Sequence, residues 1–196
     1  MLDEVASYDL FQGRLVRLRT IEPDDWQALR DGDLHDTDIA RRSHLVTPPR
    51  SARAARQWAE QQSLVEMHAD ERLFVIETID ERIAGTISTS DCDRRNGTFR
   101  YGITIFREFW RQGFGTDAIK IVLRYYFGEL RYQKANASVY SFNEASIKLH
   151  EQIGFKHEGR VRRSIYTSGA YHDEMLYGIT VEEFAGHFPD FAPRLD

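Results

Sequence analysis

Trp110-Arg111-Gln112-Gly113-Phe114-Gly115-Thr116-Asp117-Ala118 joins two segments of different periodicity. Before it, Phe99 to Ile105 is rich in aromatic and β-branched residues and free of proline, which predicts a strand. After it, Ala118, Ile121, Val122 and Tyr125 fall at i, i+3, i+4 and i+7, the apolar face of a helix. A glycine-containing turn therefore leads a strand into a helix N-terminus. Gly113 and Gly115 let backbone approach a ligand closely, and the free N–H groups with the positive end of the helix dipole suit a phosphate or pyrophosphate. A nucleotide P-loop needs Lys followed by Ser or Thr after the second glycine, whereas Thr116-Asp117 follow Gly115. A dinucleotide fingerprint could accept Ala118 in its third slot but needs an acid at the next strand, and residues 130 to 134 offer none. On these residues alone, a structural turn and an anion site both stand.

Composition narrows the class. The 196 residues suffice for one domain with a proper core, and 41% hydrophobic with 12% aromatic residues describes a globular chain. A net charge of −5 argues against a general nucleic-acid binder. The single cysteine, Cys92, excludes an internal disulfide framework and a cysteine-based zinc cage, and reads as an incidental thiol. No apolar run reaches about 18 residues, and Asp3 and Glu4 open the chain where a signal peptide would carry basic residues. The expectation is a cytoplasmic protein with no membrane partner.

Taken in order, residues 13 to 20 alternate as a first strand, and Thr20-Ile21-Glu22-Pro23-Asp24-Asp25 starts a helix that runs to about Arg30. Residues 31 to 50 are the least regular, with Asp31, Asp33, Asp36 and Asp38 leading into Arg41, Arg42 and His44. Such a loop selects a substrate or is simply solvated. Ser51 caps a second helix predicted to reach about Met67. Strands follow at Arg72–Thr78 and Ile83–Thr89, then a turn over Asp91–Gly97, the Phe99–Ile105 strand and the central helix. Lys134–Ser141 is a further strand, Asn143–Ile153 a helix ended by Gly154, and a last hairpin turns at Ser168-Gly169. Short connections make most neighbouring strands antiparallel. The pattern is a mixed α/β single domain without repeats or linkers.

At about 100° per residue, Asn143, Ser146 and His150 lie together on the apolar stripe of their helix. Polar groups there either contact a ligand in a cleft or hydrogen-bond to neighbouring backbone.

Together these stretches resemble the GNAT superfamily of acetyl-CoA-dependent N-acetyltransferases. Trp110 to Ala118 matches its pyrophosphate loop, and Asn143-Glu144-Ala145-Ser146 through His150 to Gly154-Phe155 matches its second signature. The resemblance extends from about Gly13 to Thr180. Trp110 and the pattern from Glu158-Gly159 to Tyr171-His172-Asp173 are similar to the branch of ribosomal-protein N-terminal acetyltransferases (RimJ/RimL-like), and spermidine N-acetyltransferases are similar too. The implied fold is a mostly antiparallel twisted sheet, splayed around a central helix and flanked by others, as one domain over residues 1–196. The implied co-substrate is acetyl-CoA, with no metal. The implied activity is transfer of acetyl to a primary amine, a protein N-terminal amine or a small amino compound, by direct attack. Polyamine or aminoglycoside acetylation is the alternative enzyme, and an acyl-CoA-binding module without transfer activity the alternative class. Homodimers are common among similar proteins.

Carried over by position, the resemblance assigns the CoA pyrophosphate to backbone N–H groups of Arg111, Gln112, Gly113, Phe114, Gly115 and Thr116. Ile103, Thr104 and Ile105 would pair with the pantetheine arm, and Asn143 and Ser146 would bond the arm or its phosphates. Relatives commonly place a Tyr acid where this chain has His150, which would then serve as the acid. Asp91 aligns with an acid of the polyamine enzymes and would act as base or amine anchor. Arg100 stands where relatives carry an acid, and would favour an acceptor with a carboxylate or peptide carbonyl. Tyr101 and Tyr171 complete the expected acceptor site.

Overall fold

The computed structural model describes residues 9–34, 36–43, 46–65 and 70–191. In chain order its elements are β1 (Val16–Arg19), α1 (Trp26–Leu29), α2 (Thr37–Ser43), α3 (Ala52–Ser63), β2 (Leu73–Thr78), β3 (Ile83–Asp93), β4 (Thr98–Ile105), α4 (Phe114–Gly128), β5 (Lys134–Tyr140), α5 (Glu144–Ile153), β6 (Lys156–Thr167), β7 (Ala170–Thr180) and α6 (Val181–His187). The strands form one sheet in the order β1-β2-β3-β4-β5-β7-β6. Every neighbouring pair is antiparallel except β4 and β5, which α4 connects as a parallel crossover. This is the mixed α/β, mostly antiparallel sheet expected.

Helix α4 is buried more completely than its predicted stripe implies. Ile119, Leu123, Tyr126 and Phe127 are buried beside Ala118, Ile121 and Val122, while Tyr125 is only partly so. A helix apolar on nearly all sides belongs in the middle of a core. Phe99 of β4 stacks on Tyr126 with ring centroids 4.2 Å apart, and Tyr132 meets Phe99 edge-on.

Two local expectations are corrected, and one further helix, α6, appears. The irregular stretch from 31 to 50 contains a helix, α2, capped by Asp36, whose Oδ1 accepts the N–H groups of Asp38 and Ile39. Only Ile39 and Ala40 of α2 are buried, too few for a periodic signal. Strand β3 runs through Asp91 and Cys92 to Asp93 on a bulge, with Asp91 at φ 49°, so the turn is shorter than expected. Helix α6 follows β7 directly, from a capping box of Thr180 and Glu183. Ser51 does cap α3, accepting the Ala54 N–H at 3.2 Å, and α3 ends at Ser63. Met67 and His44 lie outside the described residues.

Asp117, in the first turn of α4, is buried, and its Oδ2 accepts the N–H groups of Leu15 (2.7 Å) and Val16 (3.1 Å). One carboxylate thus fixes the first strand to the start of the central helix. Asp117→Ala leaves both donors unpaired and should cost about 2 kcal/mol of stability, read as a lowered urea midpoint at unchanged m-value.

Candidate active site

Strands β4 and β5 pair at only three positions, Thr98↔Lys134, Phe99↔Ala135 and Arg100↔Asn136, and then part. Beyond Asn136 the backbone of β5 follows β7, while β4 stays on β3. Between them lies a cleft of about 900 Å³, lined by Tyr101, Ile103 and Ile105 on one side, Ala137 and Val139 on the other, and the starts of α4 and α5 at its mouth. The Phe99 carbonyl accepts from Asn136 and the Ile105 carbonyl from Trp110 Nε1 (2.7 Å), so both face away from β3. Strand alternation then turns the N–H and C=O groups of Tyr101 and Ile103 into the opening.

At the mouth, Arg111 (φ 61°) and Gly113 (φ 86°) turn the chain into α4. Among the described residues, the backbone N–H groups of residues 111 to 116 make no hydrogen bond. Six unpaired donors at the positive end of a fifteen-residue helix form an anion site. A Cβ on Gly115 would stand 3.5 Å from Ile105, 3.7 Å from Leu149 and 3.8 Å from Ile103, among the side chains that line the cleft.

Helix α5 supplies the polar groups. Asn143 caps it, accepting the Ser146 N–H, and its Nδ2 reaches the Arg42 carbonyl at 3.5 Å. His150 is 3% exposed, and its Nδ1 lies 2.7 Å from the Ser146 carbonyl. A carbonyl only accepts, so Nδ1 carries the proton and Nε2 keeps a lone pair. Burial pushes the imidazole below its ordinary value, against the opposing hydrogen bond. Nε2 has no partner among the described residues. The backbone bonds and the cleft therefore both hold for this stripe: all three residues line the opening while anchoring locally.

Of the predicted residues, Tyr101, Ile103, Ile105, Arg111, Gly113, Phe114, Gly115, Thr116, Asn143, Ser146 and His150 border the cleft. Thr104 points to the opposite sheet face, and the Gln112 side chain turns back to the Glu108 carbonyl. Arg100 lies on the face away from α4, its Nη1 2.9 Å from Ser138 Oγ and its Nε 3.4 Å from Asp91 Oδ2. Asp91 is exposed and outside the cleft lining, as is Tyr171 at the far hairpin. Cys92 is also outside it; burial pushes its thiol up.

Sequence reasoning missed α2 as a wall. Ile39, Arg42 and Ser43 border the cleft, with Arg107 holding Asp36 at 2.8 Å and Asp38 at 3.3 Å. Arg107 brings the Asp36 carboxyl down to about 2. Trp110 sits between Arg107 and Arg42, 4.8 and 5.8 Å from their guanidinium carbons. Two acids, Asp36 and Asp38, followed by two arginines, Arg41 and Arg42, were the available signal.

The Acetyltransferase (GNAT) domain matches residues 15–156. The SPbeta prophage-derived uncharacterized N-acetyltransferase YokL of Bacillus subtilis is 44% identical over 172 residues, 88% of this chain and 93% of YokL. The spermidine N(1)-acetyltransferase of Vibrio cholerae is 27% identical over 103 residues, 53% of this chain and 60% of that protein. The solved spermidine N-acetyltransferase of Vibrio cholerae, in complex with CoA and spermine, superposes with a TM-score of 0.75 at 21% identity, covering 86% of this chain and 97% of that one. The family model and the relatives named N-acetyltransferases make this chain an acyltransferase. The chain belongs to the GNAT acetyltransferase family.

The two loop glycines should separate in experiment. Gly113→Ala places a Cβ at φ 86° and should cost about 1 kcal/mol in thermal unfolding. Gly115→Ala meets only ordinary van der Waals neighbours, so its Tm should hold.

Proposed function

We propose that the protein moves the acetyl group of acetyl-CoA to a primary amine, a protein N-terminal α-amine or a small amino compound, by direct attack in a ternary complex. The observation that carries this reading is the parting of β4 and β5 beside the unpaired N–H groups of residues 111 to 116. The pyrophosphate sits on those N–H groups, and Ile103 to Ile105 run beside the pantetheine arm. The Ile103 N–H, turned into the opening, polarises the thioester carbonyl and holds the tetrahedral oxyanion. Asn143 and Ser146 bond the arm where it enters.

The attacking amine must lose a proton. His150, neutral and with Nε2 as its free acceptor, suits that task better than the acid role expected from its alignment. Asp91 acts through Arg100, whose guanidinium it holds beside Ser138.

The acceptor reading rests on charge. Cations Arg42, Arg111 and Lys148 border the cleft with one acid, Glu144. Asp36 and Asp38, acids of the kind a polycation needs, engage Arg107 and Arg42. Arg100, at the fork on the sheet face away from α4, suits a carboxylate or peptide carbonyl. A polyamine acceptor is the second reading, favoured by the 27% identity with the Vibrio cholerae spermidine enzyme.

The test is CoA-thiol release from acetyl-CoA across N-terminal peptides, amino acids, polyamines and aminoglycosides. Turnover on peptides or amino acids is expected; turnover confined to polyamines selects the second reading. Tight acetyl-CoA binding without turnover on any amine identifies a binding module. Arg100→Glu should shift preference toward polyamines by about fivefold in kcat/KM, a modest effect because the side chain is half-exposed.

His150→Phe should lower kcat about a hundredfold with acetyl-CoA affinity unchanged. A base works deprotonated, and burial lowers its pKa. The acid limb of the native kcat/KM profile should therefore fall below the ordinary value of 6.5, and vanish in the variant.

A further inference from the structure

The far edge of the sheet carries a cluster of cations that the cleft does not use. Among the described residues β6 ends the sheet, with β7 as its sole partner. Between the pairs Val161↔Glu174 and Ile165↔His172 its register slips, so that Arg162, Arg163 and Ser164 stand opposite the single residue Asp173. Such a bulge bends the strand and re-aims its side chains. Arg163 takes φ 55° there, a left-handed conformation unfavourable for a residue with a Cβ.

Asp173 holds the bulge in shape. Its Oδ1 accepts the Arg163 N–H at 2.7 Å, and its Oδ2 pairs with the Arg160 guanidinium. The neighbouring acid, Glu174, accepts from Ser164 Oγ at 2.9 Å. Both local carboxylates are thus engaged, and neither Arg162 nor Arg163 has an ion-pair partner among the described residues. The Arg163 guanidinium lies over the Tyr171 ring, 4.6 Å from its centroid, and Tyr166 packs on Tyr171 at 5.0 Å. Both tyrosines are more than half exposed. Arg160, Val161, Arg162, Arg163 and Asp173 line a recess in this edge.

An open strand edge is guarded against pairing with other chains by a charge or a bulge. Guarding alone gives no reason for two exposed tyrosines beside the cations, whereas arginine with tyrosine is the composition of a contact surface. The hairpin is also tied to the cleft in two places. The Asp173 N–H donates to Ser141 Oγ (3.2 Å) and its carbonyl accepts the Ser141 N–H (2.9 Å), and the next residues, Phe142 and Asn143, border the cleft. Near the tip, Thr167 Oγ1 accepts from Arg41 Nε (3.0 Å), and the next residues of α2, Arg42 and Ser43, border it too.

We propose that this bulge is a docking surface for an acidic stretch of the acceptor polypeptide, which lies on Arg162, Arg163 and the two tyrosines while its N-terminal amine occupies the cleft. The inference rests on the acetyltransfer reading above and narrows the acceptor within it, to a polypeptide with Asp or Glu downstream of its N-terminus. Charge selects this occupant. The recess sets three guanidinium groups against one carboxylate already bound to one of them, and carboxylates pair with arginine through two parallel hydrogen bonds. A long polyanion such as RNA meets the whole protein, whose net charge is −5. A short acidic stretch meets only charges within about 10 Å at 0.1 M salt.

Two peptides test this, with the same neutral N-terminal residues, one continued by Asp and Glu and the other by Asn and Gln. In the native protein the acidic peptide should show about tenfold higher kcat/KM, carried by KM, and lose most of that advantage between about 0.05 and 0.5 M salt. In the double variant Arg162→Gln, Arg163→Gln the advantage should disappear. In Arg162→Lys, Arg163→Lys part of it should stay, because the charge remains while the paired hydrogen bonds go. The acetyl-CoA KM should be the same in all three proteins. Fluorescence anisotropy with the acidic peptide, its amine blocked by acetylation, reads docking without turnover and should show about tenfold weaker binding to the glutamine variant.

Equal kcat/KM for the two peptides overturns the inference. So does a raised acetyl-CoA KM in the glutamine variant, which would give the arginines to the co-substrate, or loss of a dimer in that variant, which would give them to a second copy. Tighter binding of a single-stranded RNA than of the acidic peptide overturns it as well, as does aggregation of the variant with its peptide preference intact, which leaves only the guarding of the edge. Turnover confined to small amines overturns the inference and keeps acetyltransfer. Turnover on no amine, with the anisotropy as expected, overturns acetyltransfer and keeps the acidic docking surface.

Discussion

Three residue pairs hold β4 to β5, and the rest of the molecule is arranged around the place where that pairing stops. Backbone donors and acceptors inside a protein are costly to leave unpaired, so a sheet that opens in its middle must gain something in the opening. Here each strand keeps one full partner, β3 for β4 and β7 for β5, and each loses the other. Arg100 lies at the fork and spans it from β4 to Ser138 of β5. On the opposite face Tyr101, His150 and Phe155 fill the crotch with aromatic rings. The fork is therefore closed on both faces at its base and open above.

Much of this arrangement was legible in the residues. Gly113 marked the helix start, because a backbone turn at φ 86° favours glycine. The strands from 73 onward were visible as short runs of apolar and β-branched residues between turns, and Gly154 (φ 102°) ended α5 as its position implied. The parting of the strands was available only through the family resemblance, since a backbone that leaves its partner keeps the same residue preferences. Helix α2 was hidden for a different reason. Its stability comes from Asp36 at its cap and from partners distant in the chain, Arg107 and Thr167, which no local window contains.

The candidate site divides the same way. The candidate anion loop from Arg111 to Thr116, which is defined by backbone position, followed from the motif. Residues that act through side-chain surroundings did not. His150 looked like an acid because its aligned position holds one, yet its bond to Ser146 and its burial leave an acceptor. Asp91 looked like a base or amine anchor from its alignment with an acid of the polyamine enzymes, yet the bulge places it in solvent beside Arg100.

The wall formed by α2 differs in kind from the floor formed by α4. The floor is apolar packing, indifferent to dissolved ions. The wall buries only Ile39 and Ala40 and is otherwise tied by exposed charges, Arg107 to Asp36 and Asp38, and Arg42 to Asp38. Such pairs weaken as the Debye length shrinks from about 10 Å at 0.1 M salt to about 3 Å at 1 M. Ionic strength thus reaches one side of the cleft and not the other: a saltier solution loosens the α2 wall while the packing of α4 keeps its shape.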